Sequence, residues 1–185
     1  APGTSGNLLT STGSAWASSA PAAGGAWAVT SSGTFSTTAN LTVTGLTKTT
    51  SVILENVVIS SDAGYTVNVK FSTDNGATMI ATSTYDGVTG TLINSVNQPA
   101  FYIASGSQGA GTDEAFSCWF TVYGPNTAGG TYASWLYSGV NTSNAVNGSA
   151  GGGNLRGNHA VNAVQFVAAG GVTLVSGSYT VLELN

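Results

Sequence analysis

Charge is scarce in this sequence. Three residues are Lys or Arg and seven are Asp or Glu, so 5% of the 185 residues are charged. Globular domains usually carry about a quarter. With a net charge of −4, the chain lacks the cations that neutralise a phosphate backbone or an anionic membrane surface. Nucleic-acid binding and a basic membrane-surface role are therefore excluded. The shortage of Glu, Lys and Arg also excludes helix bundles and coiled coils. Cysteine occurs once, at Cys118, so no intramolecular disulfide can form. No run approaches the ~18–20 apolar residues of a membrane-spanning helix.

Hydrophobic residues make up 42% of the chain, enough to build a core without disulfides, and glycine occurs 26 times. From Ala26 onward the apolar period is two, as in strands. Trp27 and Val29 alternate, as do Leu41 and Val43. In Ser51–Ser60, Val52, Leu54 and Val58 fall on one face, and Ile53, Val57 and Ile59 on the other, which places the strand between two layers. Tyr65–Phe71 alternates cleanly. Ser72–Gly76 must then turn, with Ala77–Thr84 returning as the second arm of a hairpin, and Asp86–Gly90 forms the next turn. Further strands read at Ala100–Ala104, Ala115–Tyr123, Tyr132–Tyr137, Ala160–Ala168 and Val172–Leu184, the last broken at Ser176-Gly177. Gly139–Gly157 reads as a long irregular loop.

About ten short strands separated by Gly, Asn and Ser turns predict an all-β fold, an antiparallel β-sandwich of jelly-roll type. Residues 1–25 have little to bury beyond Leu8, Leu9 and Trp16. They read as an extended N-terminal arm that orders against a partner, with the sandwich domain at 26–185.

Catalytic and metal constellations are not legible. His159 is the only histidine, no G-x-S-x-G elbow is present, and one Cys with one His cannot supply a zinc site. The expectation is no catalytic residue, no metal and no cofactor. Asp113-Glu114 reads as a solvated loop tip. Ser72–Met79 resembles the Asp-box pattern of sialidase-like propellers, with Met79 in place of the aromatic; a single copy reads as turn chemistry. Aromatics crowd into the later half. Trp119, Tyr132, Trp135 and Tyr137 are candidates for contact with a glycan or another subunit, with core packing as the competing reading.

Two stretches resemble bacteriophage virion proteins. Gly3-Thr4-Ser5-Gly6-Asn7-Leu8-Leu9-Thr10-Ser11, closing on Ala15-Trp16, is similar to a segment recurrent in phage fibre proteins. Asn162–Phe166, Gly170-Gly171-Val172 and Ser176–Leu184 resemble the end of tail-fibre and capsid-attached domains, although the chain ends Val181-Leu182-Glu183-Leu184-Asn185 where the family favours L-Y-G-[LI]. The resemblance covers about the first 16 and last 25 residues. It implies a trimeric, non-enzymatic β-domain on the virion surface, a capsid decoration or fibre component. Other capsid or tail proteins would bind residues 1–25 through Leu8, Leu9 and Trp16, and host glycan is a further partner. The alternative is a carbohydrate-binding module or receptor-binding tip.

Overall fold

The computed structural model describes residues 8–11, 16–19, 25–60, 67–81, 84–89, 93–103, 114–127, 130–140, 145–168, 170 and 172–185. Strands β1 (Leu8–Ser11) and β2 (Trp16–Ser19) pair with each other as a small hairpin sheet. Then follow β3 (Trp27–Thr38), β4 (Asn40–Thr44), β5 (Thr50–Ile59), β6 (Val67–Ser72), β7 (Tyr85–Thr89) and β8 (Ile93–Gln98). The rest are β9 (Phe101–Tyr102), β10 (Phe116–Tyr123), β11 (Thr131–Val140), β12 (Val146–Leu155), β13 (Ala163–Ala168) and β14 (Leu174–Leu184). They form an eight-stranded sheet, β3-β14-β5-β10-β11-β12-β7-β8, and a four-stranded sheet, β4-β13-β6-β9. All pairings are antiparallel, and the two sheets pack face to face as a β-sandwich.

Alternation explains which side chains meet. On β10, Phe116, Cys118, Phe120 and Val122 point inward, and on β11 Ala133, Trp135 and Tyr137 do. The small sheet answers with Val43, Val69, Phe71, Val164 and Phe166. Phe71, Phe101, Phe120, Trp135 and Phe166 form a continuous ring cluster, with Phe120 stacked on Trp135 at 6.1 Å and edge-on to Phe166 at 5.6 Å. Such aromatic pairs add stabilisation beyond the area they bury.

Several expectations are corrected. In β5 the two-face split is reset by a bulge at Glu55-Asn56, where Asn56 takes φ 51° and β10 pairs Phe116 with Val57 but Cys118 with Leu54. The extra residue brings Val57 and Ile59 onto the inner face with Val52 and Leu54. Ala77–Thr84 contains no strand in its described part: after Ile80 N–H donates to Phe71 O, the chain crosses to the large sheet. Asp86–Thr89 belongs to strand β7, and the expected 139–157 loop contains the ten-residue strand β12. Ser176-Gly177 is a bulge within one strand, not a break between two.

The Ser72–Met79 turn behaves as its chemistry predicts. Ser72 Oγ donates to Asp74 Oδ1 at 2.5 Å and accepts from Gly76 N–H, while Asp74 Oδ1 also accepts from Thr78 N–H. Asn162, entering β13, clamps the turn: its Oδ1 accepts from Asn75 N–H and its Nδ2 donates to Thr73 O.

Candidate recognition surfaces

The outward side of the eight-stranded sheet follows from the same register. Cross-strand pairing lines up Thr180, Ile53, Trp119, Leu136 and Ala150 across five strands, with Tyr123 opposite Tyr132 further along. Eight large hydrophobic side chains are exposed among the described residues: Trp27, Val29, Val88, Trp119, Tyr123, Tyr132, Leu136 and Val146. The register places all eight on this one face. Trp119 is 46% exposed and Leu136 62%, which makes the middle of the face, not only its rim, apolar. Strands β3, β10, β11 and β12 contain no charged residue. A hollow of about 210 Å³ beside Trp119 is lined by Ile53, Glu55, Ser117, Leu136 and Ser138.

Two hydroxyl pairs order this face. Ser51 Oγ and Thr121 Oγ1 lie 2.8 Å apart and are shielded from solvent, and Tyr123 Oη lies 3.1 Å from Ser134 Oγ. The second pair ties the Tyr123 ring across to β11.

The outward side of the four-stranded sheet is of opposite character. Thr42, Gln165 and Lys70 form one cross-strand row, and Asn40, Val167 and Asn68 the next. A second hollow, of about 350 Å³, opens between the sheets at the β3–β4 edge, with Thr30, Thr42, Thr44, Tyr179 and Glu183 in its walls.

The sequence candidates separate on this frame. Trp119 and Tyr132 face solvent. Trp135 and Tyr137 do not: at 4% and 2% exposure they sit inside the sandwich, on the inward register of β11, and cannot stack on a ligand. Burial raises the Tyr137 phenol above its ordinary range, with its cross-strand neighbour Cys118 adding to the effect. The backbone of Leu8, Leu9 and Trp16 lies in the β1–β2 hairpin, but their side chains lie outside the described residues. Asp113 is also outside them. His159 is half-buried beside Gly157, and its carbonyl accepts from Val161 N–H. Among the described residues no group of three or more His, Cys, Asp or Glu could hold a metal ion. Arg156 Nε pairs with Asp86 Oδ2 at 2.9 Å; its guanidinium also bonds Asn97 Oδ1, and Asp86 Oδ1 accepts from Asn97 N–H. This cluster ties β12, β7 and β8 together.

Sequence reasoning missed the residues of the small sheet's outer face. Asn40, Asn68, Lys70 and Gln165 are scattered along the chain, and only pairing with β13 brings them together.

No protein-family model, curated protein or solved structure matches the chain.

Proposed function

We propose that this chain is a non-enzymatic structural β-domain displayed on a bacteriophage particle. Copies associate as a trimer, and residues 1–25 attach the domain to other virion proteins. The observation that carries the reading is the gathering of all eight exposed large hydrophobics on one face of one sheet. A concentration of exposed apolar side chains on one face marks contact with other molecules. Charge on this face is sparse, with Glu55 beside the Trp119 hollow and the Asp86–Arg156 pair on β7 and just past the end of β12, so few ions need be desolvated when copies meet. The resemblance of residues 3–16 and 162–184 to phage fibre and capsid-attached proteins supports the virion setting.

The test is native mass by light scattering, joined to particle incorporation. A mass near three times 18.3 kDa is expected. Replacing Trp119 and Leu136 together by Ser should give a folded monomer, and deleting residues 1–25 should leave a folded domain that no longer joins particles. A wild-type monomer, together with unimpaired incorporation of both variants, overturns the reading.

A second reading, a carbohydrate-binding module, draws on the solvent-facing rings of Trp119 and Tyr132. It predicts that Trp119→Ala abolishes oligosaccharide binding while leaving the native mass unchanged.

A further inference from the structure

The outer face of the four-stranded sheet holds a groove of about 460 Å³, within the ~300–1,000 Å³ usual for small-molecule sites. Asn40, Asn68, Lys70, Gln165 and Thr173 supply its polar groups, and Val167 lies at its centre. We propose that this groove binds an acidic oligosaccharide, with Lys70 holding a sugar carboxylate and the amides holding ring hydroxyls.

The residues fit that class for three reasons. Among the described residues Lys70 is the only charged residue lining the groove, in a chain whose net charge is −4 and which has only three Lys or Arg. A lone ammonium among neutral amides attracts one anionic group without the cation density that a polyphosphate needs. Asn and Gln side chains both donate and accept, as sugar hydroxyls do, so each amide can pair with a hydroxyl in either sense.

The third reason is preorganisation. Gln165 Nε2 donates to Thr42 Oγ1 at 3.0 Å, and Thr42 Oγ1 in turn donates to Asn40 Oδ1 at 3.4 Å. This relay fixes the Gln165 and Asn40 amides, leaving Gln165 Oε1 able to accept and Asn40 Nδ2 able to donate. Holding them in place before binding removes part of the ordering cost. Rigid strands carry four of the polar side chains, Asn40, Asn68, Lys70 and Gln165, and Thr173, just before β14, walls one side. Tyr102, opposite Asn68 on β9, continues the same face.

This site does not rest on the assembly reading, because it lies on the other sheet. The experiment is a titration of the full chain with hexagalacturonate, a hyaluronan hexasaccharide, sialyllactose and maltohexaose. At least one acidic probe should bind, and maltohexaose at least about tenfold more weakly. Lys70→Gln should weaken the acidic probe about tenfold and remove its salt dependence, while Lys70→Arg should restore most of the binding. Gln165→Ala should weaken binding with the fold intact by circular dichroism. Trp119→Ala, on the opposite face, should change nothing. Failure of all three acidic probes, equal binding of maltohexaose, an unaffected Lys70→Gln variant, or loss of binding in Trp119→Ala each overturns the proposal.

Discussion

Gly151 lies directly beneath the Trp135 indole. A Cβ at this position would stand 2.4 Å from ring carbons Cε2 and Cζ2, and equally close to the Val88 carbonyl oxygen. Gly153 stands in the same relation to Phe101, at 2.6 Å, and Gly87, its cross-strand partner, lies under both rings. The glycines of β7 and β12 thus form a flat inner floor on which two large aromatics rest. Their value is the space they leave, since protein interiors are close-packed and tolerate little added volume.

Gly151→Ala should therefore destabilise the fold although it adds one methyl group. Overpacking costs about 1–3 kcal/mol, and the upper end is expected because one of the obstructing atoms is backbone. Urea denaturation should show a lower midpoint with an unchanged slope. Trp135→Phe in the same chain should recover only part of the loss, because the Val88 carbonyl remains. A Gly151→Ala variant as stable as wild type would show that the floor has room to spare.

The same floor explains where the sequence misleads. Alternating apolar residues made β4, β5, β6, β10 and β13 readable, because each strand carries its own hydrophobic face. Strands β7 and β12 carry no such signal: Gly87, Gly151 and Gly153 occupy their central inner positions, Tyr85 and Leu155 are buried only at one end, and the apolar atoms over the glycines come from Trp135 and Phe101 on other strands. They read as turn and loop. The β5 bulge was hidden for a different reason: apolar residues stand at both parities on either side of Glu55-Asn56, so the sequence does not show that Asn56 reverses the faces. Three of the four aromatic candidates, Tyr132, Trp135 and Tyr137, lie on β11, where aromatic rings stand on both faces, so the sequence alone does not decide which of them point inward.

Tyr85 joins the two sheets. Its hydroxyl donates to Ile80 O at 3.0 Å and accepts from Phe71 N–H at 2.8 Å, so a β7 side chain completes the backbone bonding of β6. Tyr85→Phe should cost about 1–3 kcal/mol, because it leaves a buried donor unpaired. Burial pushes the phenol up to about 12 from 10.0, opposed by the bond from Phe71. A raised folded-state value means the neutral form is favoured. Its contribution is complete below pH ~10 and is lost as pH rises toward ~12. Wild type should therefore lose stability over that alkaline range more steeply than Tyr85→Phe, as urea midpoints against pH will report. Parallel profiles would contradict the assignment.

Cys118 is a chemical probe of the same core. It is 2% exposed, and burial pushes its thiol up to about 12. The thiolate is the reactive form, so a disulfide reagent at mildly alkaline pH should leave the native protein unmodified and title one equivalent in concentrated guanidinium chloride. The rate of native labelling then reports opening of the sandwich between Phe116 and Phe120. Prompt reaction in the native state would place Cys118 outside the core.

The Ser72–Met79 turn should reveal itself in acid. The Ser72 hydroxyl, and after it the Thr78 N–H, hold the Asp74 carboxyl below its ordinary 3.8. A depressed folded-state value stabilises the protein above the unfolded value, and the gain fades as pH falls through the folded one. Asp74→Asn keeps an acceptor for both donors but removes the titration. The difference in urea midpoint between wild type and Asp74→Asn should therefore hold steady above pH ~5 and shrink as pH falls below ~4. Taking the difference cancels the other six acids, which titrate in both chains. Ser72→Ala removes the larger of the two causes and should move the Asp74 carboxyl back toward 3.8 in a carbon-detected NMR titration. A midpoint difference that stays constant through the acid range would mean the turn is held by the Asn162 clamp alone, with Asp74 a bystander.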